Sequence, residues 1–351
     1  MSIMLKNEEK IIIDRTLEQI LKSNKEINPK MSEKFLILLK NIGVDFIEID
    51  KSVIDSIKKF PEDLKYIYIV RNTLDIKSIN KYSMKFEYIV LNYDNTEDKE
   101  LIDSLRDKNI ILEIDIRILD KLFIEKNLIK FQKMNIKIIR IKNVVKYNLC
   151  VWKRLICDIK KKFNVKVDFY PSNKFYMATA VGIEACIDGA DSITAVFNGQ
   201  NFGRASLEEV LLGLHVMKKA TVFGNFKLIG ETAKVYSSLV NDKIYSMKAV
   251  IGEDIFKYES GIHVDGINKN PHTYEPYNPY DIGKKRTMYI GKHSGKKAIM
   301  IRLNQLNIDY SDIDINEFLK KVTGLSIKLK RNIYDNELVE IFNKFKNTCL
   351  K

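Results

Sequence analysis

The residues best placed to do chemistry are the polar ones that close successive β-branched runs. They are Asp14, Arg15, Asp50, Arg71, Asn72, Asn92, Asp115, Lys142, Asn143, Tyr170, Ser172, Asn173, Asn198 and Gln200. Few acids stand together in this set, and it holds no histidine. A divalent-metal centre needs clustered carboxylate or imidazole ligands, so this rim does not read as one. A lysine in such a place, Lys142 or the nearby Lys174, has the chemistry to form a Schiff base with an oxo acid. The histidines lie elsewhere: His263, His272 and His293, three of the four, fall within residues 253–295. Cys150, Cys157, Cys186 and Cys349 have no paired or metal-ligand spacing and read as reduced thiols.

The elements that must position these residues follow from periodicity. The apolar runs are Ile11 to Asp14, Asp45 to Ile49, Tyr66 to Val70, Tyr88 to Asn92, Ile110 to Asp115, Ile136 to Ile141, Val165 to Tyr170 and Ile193 to Asn198. Amphipathic stretches such as Lys30 to Asn41 and Cys150 to Phe163 lie between them. Strands alternating with helices predict a parallel sheet. About eight such units in ~200 residues predict a closed (β/α)₈ barrel, with chemistry at the C-terminal strand ends. An open doubly wound sheet is the alternative, but no Gly-rich phosphate loop follows the first strand. After residue 245 the pattern changes. Asn270-Pro271, Glu275-Pro276 and Asn278-Pro279 mark a turn-rich segment. Helical patterns return over Lys296 to Leu306, Asp314 to Lys330 and Asp335 to Lys346. The expected organisation is α/β: a TIM barrel over 1–245, a loop-rich connector over 246–295 and a small helical C-terminal domain over 296–351.

Composition bounds the function classes. The 351 residues are 45% hydrophobic, enough for a sizeable core, and no run approaches the roughly 20 apolar residues of a membrane span. Met1 to Lys10 is mostly polar and charged, so a cytoplasmic protein with no membrane association is expected. The net charge of +13 is spread along a chain rich in Lys, Ile and Asn. No arginine-rich arm, zinc finger or aromatic RNA-binding signature accompanies it, so no nucleic-acid partner is expected.

The most specific string is Glu259-Ser-Gly-Ile-His-Val-Asp-Gly-Ile-Asn-Lys-Asn-Pro-His-Thr-Tyr-Glu-Pro-Tyr-Asn-Pro279, followed by Ile282-Gly283, Arg286 and Gly291-Lys-His-Ser-Gly295. It resembles the segment after the barrel in the homocitrate and 2-isopropylmalate synthases, and most of all the homocitrate synthases of nitrogen fixation. Ile13-Asp-Arg-Thr-Leu-Glu-Gln19, Gly43-Val-Asp-Phe-Ile-Glu48, Met177-Ala-Thr-Ala180 and Leu207-Glu-Glu-Val210 resemble barrel motifs of the same family. The resemblance implies condensation of acetyl-CoA with a 2-oxo acid on a divalent metal, Mg or Mn. It also implies ligands that this chain lacks. The family's Arg-Asp-Gly is missing between Leu17 and Glu18. Tyr170 and Ser172 stand at the positions of the two ligand histidines, Arg204 stands at that of an asparagine, and Lys174 replaces an acid. Lys142 and Lys174 together would repel a divalent ion.

The resemblance therefore implies a degenerate barrel that binds no metal cofactor itself. It points to an omega-type subunit of a split homocitrate synthase, with the metal in a homologous partner chain. In the family the connector crosses a dimer, caps the partner's barrel and brings a histidine toward acetyl-CoA. On that basis His263 and His293 are the candidate catalytic residues, acting in trans. Tyr274, Glu275, Arg286 and Lys292 are the candidate substrate-binding residues. His215 and His272 read as structural. The alternatives are a self-sufficient acyltransferase or lyase, of 2-isopropylmalate type or with altered chemistry, and a non-catalytic regulatory or CoA-binding homologue.

Overall fold

The computed structural model describes residues 3–57, 59–79, 82, 84–145 and 149–349. The side chains of Cys150 and Cys349 lie outside the described residues; Cys157 is an exposed free thiol and Cys186 a buried one. The chain folds as two compact units, Met1–Tyr245 with Ala249–Ile251, and Ser246–Lys248 with Gly252–Lys351. Among the described residues no helix is long and apolar enough to cross a membrane.

In the first unit a short strand β1 (Ile3–Leu5) precedes eight parallel strands. These are β2 (Glu8–Asp14), β3 (Phe46–Ile49), β4 (Tyr66–Val70), β5 (Phe86–Asn92), β6 (Ile110–Asp115), β7 (Ile136–Lys142), β8 (Lys166–Tyr170) and β9 (Ser192–Ala195). Each pairs with the next in sequence, and β9 returns to β2 with Ile11 opposite Ser192, so the sheet closes. β1 also pairs antiparallel with β2 and with β10 (Thr221–Val222). Both faces of such strands are covered, hence the near-continuous Ile and Val runs. The last barrel strand ends earlier than its apolar run suggests. Asn198 takes a left-handed backbone conformation, φ 53°, which turns the chain out of the sheet.

Helices shield the outside. Pro29–Ile42 starts where the Asn28 side chain accepts the Lys30 N–H, and it stops at Gly43, φ 112°. Inside the barrel, period-2 alternation stacks the inward residues in layers. Ile11, Ile13, Ile67, Ile69, Val90, Ile111 and Ile138 form one buried apolar cluster. One step further along the same faces come Arg15, Arg71, Asn92, Glu113 and Arg140. An apolar plug thus gives way to charge at the C-terminal mouth.

In the second unit β11 (Lys257–Tyr258) pairs in parallel with β12 (Thr287–Met288). The segment between them is not all irregular. Gly261–Lys269 is a helix whose Ser260 side chain accepts the Ile262 N–H. Nine residues containing two glycines give too short and broken a pattern for 3.6-residue periodicity to show. Pro271–Thr273 and Pro279–Ile282 are short 3₁₀ turns, each started by an asparagine side chain. Helices Lys296–Gln305, Ile315–Leu329 and Asp335–Cys349 follow. Met288 and Ile290 of the turn-rich segment share one core with Ile299, Phe318, Val322 and Phe342 of these helices.

Candidate functional site

Charged side chains from strands around the barrel and from the helix Thr16–Lys22 meet at its mouth. The Arg15 Nη1 donates to Glu113 at 2.7 Å, and its Nε lies 3.2 Å from Glu18 and 3.6 Å from Glu48. Arg140, with no exposed side-chain surface, pairs with Glu48 and Asp168 and lies 3.5 Å from Glu113. Lys142 reaches Glu113 at 3.2 Å. Arg71 bridges Glu18 at 3.0 Å and Asp50 at 2.8 Å. Buried charge costs several kcal/mol per ion unless it is paired, and the mouth meets that cost by mutual pairing. Burial alone would raise the Glu113 carboxyl, but Arg15, Arg140 and Lys142 outweigh it and hold the group well below the usual carboxylate range. Burial pushes Glu48 up in spite of Arg140 and Arg15. A cavity of about 220 Å³ opens over this layer, lined by Arg15, Glu18, Lys22, Arg71, Asn92 and Lys142 among others.

The positions that correspond to metal ligands hold no ligand set. Tyr170 is buried, and two guanidinium groups stack on its ring, Arg15 at 5.1 Å and Arg204 at 4.2 Å. The Arg204 Nη1 donates to the Asn143 Oδ1 at 2.9 Å, and the Asn143 Nδ2 donates to Asp115 at 2.7 Å. Ser172 and Arg204 form an antiparallel bridge. Among the described residues no three His, Cys, Asp or Glu side chains are arranged to hold a metal ion. The acids that do converge here already face guanidinium groups, so a divalent ion does not fit this mouth.

The lysines expected to repel the metal are placed differently. Lys174 is exposed on the loop after β8, while Lys142 is paired with Glu113 and is not presented as a free amine nucleophile. The cations that define the site are Arg15, Arg140 and Arg204. Glu48 closes a quoted family motif, but neither those motifs nor the strand-end rim singled out Glu113, Arg140 and Asp168. Their signal was a charged residue on the inward parity of an otherwise apolar strand.

In the second unit His263 is exposed, and its ring meets that of Tyr274 edge to face at 4.6 Å between centroids. Gly266 permits this packing, since a Cβ there would come within 2.4 Å of the Tyr274 Cε2. Glu275 is buried and binds Arg286 through three contacts of 2.7–3.0 Å, with Asn278 adding a fourth at 3.3 Å. These two residues hold each other and fix the turns between β11 and β12. His293 and Lys292 stand exposed on a separate turn. There the His293 backbone N–H donates to Glu259, and the Gly291 N–H donates to the Ser294 hydroxyl at 2.9 Å. The structure thus brings Tyr274 to His263 and Glu275 to Arg286.

Residues 250–330, all but the first two of them in this unit, match the family model described as homocitrate synthase post-HMGL domain-like. The whole chain is 42% identical to the homocitrate synthase omega subunit of Clostridium pasteurianum, over 98% of both chains. The chain belongs to the homocitrate synthase omega-subunit family. It is also 32% identical to 2-isopropylmalate synthase 2 of Caldanaerobacter subterraneus subsp. tengcongensis, over 54% of this chain and 50% of that protein. This chain therefore matches about half the length of that relative. The barrel superposes on hydroxymethylglutaryl-CoA lyase from Pseudomonas aeruginosa with a TM-score of 0.55 at 10% identity, covering 69% of this chain and 96% of that one. That likeness concerns the fold alone. Both the family and the TIM barrel agree with what the connector string and the strand pattern imply.

Proposed function

We propose that this chain is the metal-free subunit of a two-chain homocitrate synthase, which condenses acetyl-CoA with 2-oxoglutarate for nitrogenase cofactor synthesis. The observation that carries the proposal is a contrast within one chain. The barrel mouth has guanidinium groups where ligands are needed, whereas the connector keeps its family string and presents His263 and His293, with His272, to solvent. In this reading a homologous partner with intact histidine ligands binds the divalent metal, Mg or Mn, and the 2-oxo acid. No metal-dependent step is assigned to the barrel described above.

The contribution of this chain is the connector. His263, held on Tyr274, is the base that takes a proton from the acetyl methyl of acetyl-CoA, and the resulting carbanion equivalent bonds to the ketone carbon. Hydrolysis of the thioester then releases CoA. His293, with its backbone anchored through Glu259, is the second imidazole available to the partner's site. Tyr274, Glu275 and Arg286 keep these groups in place, and Lys292 is available to a CoA phosphate.

The test is thiol release from acetyl-CoA in the presence of 2-oxoglutarate. The purified chain alone is expected to be inactive, and addition of the homologous chain with the intact histidine motif is expected to restore turnover. Full metal-dependent condensation by the chain alone would defeat the proposal. Deletion of the chain in a nitrogen-fixing host should abolish growth on dinitrogen, and added homocitrate should restore it.

A further inference from the structure

Three carboxylates from three different elements converge on one guanidinium. Arg15 meets Glu113 of β6 at 2.7 Å, Glu18 of the helix Thr16–Lys22 at 3.2 Å and Glu48 of β3 at 3.6 Å. The side chains of Glu18 and Glu48 have no exposed surface, and that of Glu113 has 7%. The neighbouring cations are already shared: Arg140 with Glu48 and Asp168, Arg71 with Glu18 and Asp50, and Lys142 with Glu113. Lys22 and Arg204 add positive charge from further out. On its remaining side Arg15 meets the Tyr170 ring. Converging anions in a site sheltered from water need a cation among them, and a bound divalent ion is one common supplier.

We propose that Arg15 is the resident counter-cation of this barrel mouth, holding Glu18, Glu48 and Glu113 together in the way a bound divalent ion holds the carboxylates of a metal-dependent site. This role belongs to the folded chain itself and does not rest on the two-chain reading.

The experiment compares the full chain with Arg15→Lys and Arg15→Met, which have similar reach and differ in charge. Thermal unfolding is followed from pH 5 to pH 8 at constant ionic strength. Arg15→Lys should keep most of the wild-type midpoint, whereas Arg15→Met should lose roughly 6–20 °C near neutral pH. The gap between the two variants should narrow as pH falls, because carboxylates left without a cation take up protons on folding. Replacing the acids as well, in Arg15→Met/Glu18→Gln/Glu113→Gln, should recover part of the loss, since Arg140, Lys142 and Arg71 give up a partner in exchange. Equal midpoints for Lys and Met would overturn the proposal, as would a gap that does not change with pH, since that would mark a packing role. If Arg15→Met does not fold, the triple variant decides: a folded triple variant supports the counter-cation role and an unfolded one rejects it.

Discussion

At Asp14, burial pushes the carboxyl up to about 7, against the hydrogen bonds donated by the Thr16 hydroxyl and N–H. The ordinary value is 3.8, so the folded chain binds more protons than the unfolded one between those values. The contribution of Asp14 to stability therefore falls as pH rises through that window. Asp14→Asn should flatten this slope, which urea denaturation midpoints at a series of pH values will show. Glu113 has the opposite sign. Its folded-state value is depressed, so its stabilisation is present above the ordinary 4.5 and is lost as pH falls through the folded value. Glu113→Gln should cost about 3–5 kcal/mol at neutral pH, since it leaves Arg15 and Arg140 partly uncompensated. His263 is exposed, so His263→Gln should leave the unfolding temperature nearly unchanged. In the two-chain assembly the same variant should lower kcat by about 10²–10⁴-fold. An unchanged kcat would remove His263 from the chemistry.

The barrel strands and the helix Gly261–Lys269 differ in how far they can be read ahead of the fold. A barrel strand covered on both faces is mostly apolar and β-branched, and Ile136 to Ile141 or Ile110 to Asp115 show this despite Lys137, Arg140 and Glu113 within them. The connector helix has glycines at 261 and 266 and no apolar stripe, so only the backbone reveals it. Gly266 is required at that position because the Tyr274 ring lies against it. Gly266→Ala should destabilise the chain by about 1–3 kcal/mol in urea unfolding, as overpacking does. It should also displace Tyr274 from His263 and lower turnover in the assembled enzyme. A variant with wild-type stability and turnover would show that the Tyr274 contact has no such role.

For the whole molecule, the charge that matters is the charge enclosed in the barrel rather than the net +13 of the chain. Arg15, Arg140, Lys142 and Arg71 are matched by Glu18, Glu48, Glu113, Asp168 and Asp50. A chain with its own cations in place has nothing to gain from a divalent one. Millimolar Mn²⁺ should therefore leave the unfolding midpoint of the isolated chain where sodium chloride of equal ionic strength leaves it. A ligand that binds the folded state must raise that midpoint, so a saturable upward shift would reveal a metal site that the mouth geometry does not contain.

Residue types at local positions were enough to show the β/α alternation and the homocitrate synthase string from Glu259 to Gly295, and it is the resemblance that puts Tyr170, Ser172 and Arg204 at the family's ligand positions. Each of these is carried by neighbours along the chain. Which charged groups fill the mouth was decided only when the barrel closed. Arg15 and Glu113 are 98 residues apart and meet because β2 and β6 point the same parity inward at the same height. The stacking of Arg204 on Tyr170 and the pairing of Arg140 with Glu48 depend on the same register. A one-residue slip in a strand would send its charge to the opposite face, so the counter-cation is a property of the closed sheet and not of any one segment.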